Sequence, residues 1–135
     1  MITIRNYSEE DAKALWDIHF YTIRNINTRD YSQAQVEAWA PERLDSSVWE
    51  RRMKGLSPFV VEIDGVIVGY TDLQANGLID HFFCHHEYQG KGVGKALMKH
   101  IFKVGNSRGI KRYFSEVSIT ARPFYEHFGF KVVQA

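Results

Sequence analysis

Apolar residues alternate with polar ones at the start of the chain, fall at helical spacing through its first third, and alternate again in the middle. Ile2 and Ile4 against Thr3 and Arg5 predict a strand over residues 2–7. Ser8, with Asp11 three residues on, reads as the start of a helix. Ala12, Leu15, Trp16, His19, Thr22, Ile23 and Ile26 recur at helical steps, so one face of a helix over residues 9–25 is expected to be buried. Ser32 opens a second short helix that carries Val36 and Trp39 and stops at Pro41. Asp45 or Ser46 opens a third, which ends near Gly55. From Pro58 the period becomes two. Residues 59–63 and 66–73 predict strands joined by the turn pair Asp64-Gly65. Asn76-Gly77 turns the chain into a further strand over residues 78–84.

The second half adds helices to this meander. Val93, Leu97, Ile101 and Val104 mark the buried stripe of a helix running to about Lys103, ended by Gly105 or Gly109. Residues 112–117 predict a strand, 121–127 a short helix with Pro123 in its first turn, and 130–133 a last strand. The passage from Leu78 to Val117 is long enough for a parallel crossover. The expectation is one domain over residues 1–135, of the α/β (α+β) class, with a mixed, mostly antiparallel sheet flanked by helices.

Composition narrows the function. A net charge of +1 gives no field to recruit nucleic acid or an anionic membrane. No apolar run approaches the roughly 20 residues of a membrane helix, and the N-terminus lacks a signal-peptide pattern. The single cysteine, Cys84, excludes an internal disulfide and suits a reducing cytoplasm. Cytoplasmic localisation is therefore expected.

The chemistry concentrates at Gln89-Gly90-Lys91-Gly92-Val93-Gly94-Lys95, between a strand and a helix. Glycines let backbone N–H groups converge, and a helix N-terminus adds donors and partial positive charge, which makes a phosphate or pyrophosphate site. A Walker A loop fits poorly, because three residues rather than four separate Gly90 from Gly94, and Ala96 stands at the magnesium-ligand position. A nucleotide hydrolase is disfavoured accordingly. A dinucleotide fingerprint also fits poorly, since the spacing here is Gly-x-Gly-x-Gly. The pattern Gln-x-x-Gly-x-Gly after a strand matches without a gap.

Together with Phe124-Tyr125…Gly129-Phe130, this loop resembles the two hallmarks of the GNAT N-acetyltransferase superfamily, small bacterial type, and the likeness extends over nearly the whole chain. The resemblance implies transfer of an acetyl group from acetyl-CoA to a primary amine by direct attack, with no metal. It implies that backbone groups of Phe82, Phe83 and Cys84 pair with the pantetheine arm. Loop amides at Gln89, Gly90, Lys91, Gly92, Val93, Gly94 and Lys95 would hold the pyrophosphate, and an N–H near Cys84 would polarise the thioester. Tyr125 matches the position of a general acid to the leaving thiolate. Asp80 is the first candidate for the base and Glu116 the second.

Other readings compete. His81, His85 and His86 cluster without a further ligand at metal spacing. Cys84 reads as a small hydrophobe before a nucleophile. Lys91, Lys95, Lys99 and Lys103 form a solvated helix face. Trp16, Tyr21, Tyr31 and Trp39 are candidates for an amine pocket or for core. Family members usually continue one strand beyond the position of Ala135, so an open sheet edge is expected, with a homodimer as a way to cover it. A non-catalytic acyl-CoA-binding module is the alternative function. Near-neutral charge does not select the acceptor.

Overall fold

In the computed structural model, residues 1–25, 32, 45–117 and 121–132 are described. The second short helix expected from Ser32 to Pro41, with Tyr31, Val36 and Trp39, lies outside them apart from Ser32 itself. Four strands form one antiparallel sheet in the order β1-β2-β3-β4: β1 Ile2–Asn6, β2 Phe59–Ile63, β3 Val66–Thr71 and β4 Phe82–Cys84. The helices are α1 Ala12–Asn25, α2 Ser46–Leu56, α3 Val93–Ser107 and α4 Arg122–His127. No helix among the described residues is long and apolar enough to cross a membrane.

The sheet alternation assigns each helix to a face. Val60 and Tyr70 point to one side and join Ala12, Leu15 and Ile18 of α1 and Trp49 and Met53 of α2. Val61 and Val68 point to the other and join Val93 and Leu97 of α3. Leu15, Met53, Val61 and Leu97 are completely buried, each worth about 1.5–3 kcal/mol of transfer free energy. Val68 is an extra residue in β3: Val61 pairs with Gly69 and Glu62 with Ile67. The slip lets Ile67 and Tyr70, three residues apart, both pack on the α1 face.

Local chemistry fixes the elements where the sequence placed them. Asp64 and Gly65 both have positive φ, 51° and 81°, as a tight hairpin requires. The Asp11 carboxylate accepts from the Ser8 N–H and takes both guanidinium arms of Arg5, whose Nε binds Glu62 at 2.6 Å. This knot ties α1 to β1 and β2. Asp45 caps α2 through the Ser47 N–H at 3.0 Å.

Three expected strands are corrected. Only Phe82–Cys84 of residues 78–84 is a strand. The Asp72 carboxylate accepts the N–H groups of both Asp80 and His81, each at 2.8 Å, and so replaces the carbonyls a ladder would supply. The detached stretch pairs instead with Phe114 in parallel, through a bridge at Leu78. Residues 112–117 supply only that bridge, because the Ser115 hydroxyl then binds the Ile79 carbonyl at 2.6 Å and ends the backbone pairing. Lys131 and Val132 are not in a strand. Phe130 is held by the preceding helix: its N–H donates to the Tyr125 carbonyl and the Gly129 N–H to that of Glu126. With Gly129 at φ 93° this is a Schellman helix end, and the Phe130 ring meets Tyr125 edge to face at 5.1 Å. α3 runs past Lys103 to Ser107 and ends the same way at Gly109, whereas Gly105 lies inside it, pressed against Tyr113.

Candidate active site

The site forms where β4 leaves its neighbours. His81 accepts from the Asp72 N–H and the His85 N–H donates to Val68, both across β3. By antiparallel alternation Phe83 spends its backbone groups on Tyr70, while Phe82 and Cys84 turn theirs to the opposite edge. On that edge the Cys84 carbonyl accepts from Thr22 Oγ1 at 3.0 Å and Gln89 Nε2 at 3.2 Å. Among the described residues no backbone group pairs with Phe82 or Cys84 there. Of the three predicted pantetheine partners, Phe82 turns both backbone groups outward and Cys84 its N–H, the Cys84 carbonyl being taken by Thr22 and Gln89, whereas Phe83 offers neither.

The Gly-rich loop follows immediately. A 3₁₀ turn, His86–Tyr88, brings the chain round, with His85 Nδ1 accepting the Glu87 N–H. Gly90 and Gly92 adopt φ 78° and 83°, which a side chain would oppose. The first bond of α3 runs from the Ala96 N–H to the Gly92 carbonyl. The N–H groups of residues 89–95 have no acceptor among the described residues. They lie at or just before the positive end of a 15-residue helix. Lys91 and Lys95 are exposed at its mouth, as are Lys99 and Lys103 further along.

Tyr125 meets this region from α4. It is 5% exposed, with its ring 5.8 Å from that of Phe82. Burial holds its phenol protonated, pushed up to about 12, with the Ser115 hydroxyl beside it acting in the opposite sense. Cys84 is also pushed up to about 12 by burial, so it remains an inert thiol. Asp80 is exposed, and its Oδ2 lies 4.0 Å from His81 Nε2. Glu116 is exposed one residue beyond Ser115. No hydrogen bond or ion pair joins either carboxylate to Tyr125 among the described residues.

The chain matches the family model described as an acetyltransferase (GNAT) domain over residues 27–135. The chain belongs to the GNAT acetyltransferase family. An uncharacterised N-acetyltransferase of Escherichia coli, YafP, is 32% identical over 133 residues, covering 98% of this chain and 83% of the relative. A GCN5-related N-acetyltransferase of Rhodopseudomonas palustris superimposes with a TM-score of 0.92 at 30% identity, over 98% of this chain and 82% of the other. The fold is also that of the PaiA N-acetyltransferase of Thermoplasma acidophilum, solved with coenzyme A, with a TM-score of 0.80 at 22% identity, over 98% and 91% of the two chains.

As a GNAT acetyltransferase, the chain carries more site chemistry than its motifs announce. The carboxylate of Asp72, the Thr22 hydroxyl and Ser115 all bind the backbone around β4. A carboxylate ending an apolar strand just before a turn was a visible signal for Asp72. Thr22 and Ser115 gave none, since their partners are 62 and 36 residues away. His81 is 3% exposed and faces α1, with Nδ1 3.0 Å from the Tyr70 hydroxyl. Trp16 packs on Trp49 at 5.1 Å as part of the core, while Tyr21 is exposed beside His86.

Proposed function

We propose that the chain acetylates a primary amine, with acetyl-CoA as donor and direct attack on the thioester. The observation that carries this reading is the run of N–H groups across residues 89–95 without acceptors among the described residues, continuous with the outward-facing groups of Phe82 and the Cys84 N–H. A diphosphate followed by an amide-bearing arm is the ligand shape that fits both. The fit is physical: an added Cβ at Gly90 or Gly92 would meet nothing within 4 Å, so space lies open over the loop. Relatives support the donor: the Thermoplasma protein was solved with coenzyme A, and the structurally similar YncA of Salmonella typhimurium with acetyl-CoA, at 18% identity and a TM-score of 0.72.

In this reading the amine nitrogen attacks the thioester carbon, whose oxygen is met by an N–H near Cys84. The C–S bond breaks, and the thiolate takes the Tyr125 proton. The amine's surplus proton passes to Asp80, directly or through one water. Asp80 suits that role better than Glu116, because it lies two residues before the strand that would hold the thioester. Thermal-shift measurements with acetyl-CoA, CoA, ATP and NAD test the donor. Acetyl-CoA at one hundred times Kd should stabilise the fold by about 2.7 kcal/mol. A shift with ATP and none with acetyl-CoA would overturn the reading. Thiol release with tyramine, spermidine, lysine and kanamycin then identifies the acceptor class.

A further inference from the structure

His81 is buried, charge-poor and tightly held, which is unusual for a side chain beside an exposed carboxylate. Its N–H is bound by Asp72 Oδ1 at 2.8 Å, and its carbonyl accepts from Thr71 Oγ1 at 2.8 Å and the Asp72 N–H at 3.2 Å. The ring is boxed by His19 of α1 at 5.6 Å, Trp49 of α2 at 6.0 Å, and Tyr70 and Phe83 at 5.8 Å each. The ionisable groups facing it are His19, Arg52 of α2, Tyr70 of β3, Asp72 just beyond it, and Asp80.

Two of these contacts bear on its tautomer. Burial raises the Tyr70 phenol well above its ordinary value, so Tyr70 keeps its proton; a buried hydroxyl needs an acceptor for that proton, and His81 Nδ1, 3.0 Å away, is the one at hand. Burial, with Arg52 nearby, also holds the imidazole neutral, with a pKa lowered to about 4. A neutral ring that accepts at Nδ1 carries its hydrogen on Nε2. That nitrogen lies 4.0 Å from Asp80 Oδ2, a gap closed by a small rotation of the exposed Asp80 side chain or by one water.

We infer that His81 is a positioning residue for acyl transfer: Tyr70 fixes its tautomer, and its Nε2–H orients the Asp80 carboxylate toward the incoming amine. This rests on Asp80 as the base. The arrangement gives a solvent-facing carboxylate one rigid reference point, anchored through two core side chains to β3.

Nitrogen-15 NMR of the imidazole tests the first half without any acceptor. Wild-type protein should show the Nε2–H form alone, and Tyr70→Phe should mix the two tautomers. A wild-type Nδ1–H form would overturn the inference. Kinetics with the panel amine of fastest thiol release test the second half. His81→Phe should lower kcat about tenfold, a fraction of the 10²–10⁴ of a general base, with KM for acetyl-CoA unmoved. His81→Gln, whose amide nitrogen can stand at the Nε2 position, should restore most of the loss. The pair Asp80→Asn and His81→Phe should together cost no more than Asp80→Asn alone; multiplied losses, or equal losses in the Gln and Phe variants, would overturn it. An unchanged rate in Asp80→Asn would instead remove the base itself. Should His81→Phe fail to fold, the Gln variant and the Tyr70→Phe spectrum still decide.

Discussion

Gly94 lies against the ring of Phe124: a Cβ added at position 94 would sit 3.0 Å from Cε1 and 3.1 Å from Cζ of that ring, and 3.6 Å from Cys84 Sγ. The two sequence hallmarks, 30 residues apart in the chain, are thus in van der Waals contact at the start of α3. The third glycine of the loop serves packing, while Gly90 and Gly92 serve backbone conformation.

Gly94→Ala should therefore push α4 and the first turn of α3 apart. Overpacking costs about 1–3 kcal/mol, and the better helix propensity of alanine returns up to about 1 kcal/mol. The expected outcome is a modest fall in Tm, with coenzyme A affinity weakened about fivefold, a displacement near 1 kcal/mol. Calorimetric titration with coenzyme A checks it; unchanged affinity would leave the Gly94–Phe124 contact without influence on the loop.

Gly77→Ala should be far more damaging. Gly77 has φ 94°, and an added Cβ would run into the Arg112 carbonyl. The same glycine accepts the Phe114 N–H at 3.1 Å. The crossing of the two segments would have to open, at a cost of about 3 kcal/mol or more. A fall in Tm of about 10 °C is expected for a domain of this size, read by circular dichroism.

Tyr125→Phe should lower kcat by about 10²-fold and leave acetyl-CoA binding nearly unchanged, since the ring's packing on Phe82 and Phe130 survives. Because burial holds the phenol near 12, its ionisation should leave no alkaline limb in the rate below about pH 11. Stopped-flow thiol release in the two proteins compares them directly.

Stability should fall on mild acidification, and the sign follows from His81. Its pKa is near 4 folded and 6.5 unfolded, so the unfolded chain binds more protons between those values. Its contribution is complete above about pH 6.5 and lost as pH falls toward 4. The upper bound is about 3 kcal/mol. Asp11, held below the ordinary carboxylate range by Arg5, acts in a separate window, its contribution lost only below about pH 4. Urea melts from pH 7 to 4 should show the first slope in wild type and a flatter one in His81→Gln.

Much of this was readable in advance where the chemistry is local. The Asp64-Gly65 turn, the Asp45 cap, the Ser8–Asp11 start and the α3 stripe all depend on residues within a few positions of one another. The strand at residues 78–84 was misread because its apolar period is real but its ladder is cut by a side chain, Asp72, eight residues upstream of Asp80. The last strand was misread because Gly129-Phe130 is the end of a helix, and apolar residues in a Schellman contact look like the start of a strand. His81 read only as one of three clustered histidines that lack a further metal ligand. Its partners, Tyr70 and Trp49, come from elements 11 and 32 residues away, beyond any local pattern.

The outward-facing groups of Phe82 and Cys84 have a consequence for the life of the protein. Under the proposed function, the pantetheine arm would pair along this edge of the sheet, and binding of the donor would add to the stability of the fold. The amide hydrogens of these two residues would then exchange with solvent quickly in the empty protein and slowly in the charged one. Proteases that sample opened chains would clear the molecule faster when acetyl groups are scarce. The abundance of the enzyme would follow the supply of its own donor, with no regulatory domain required.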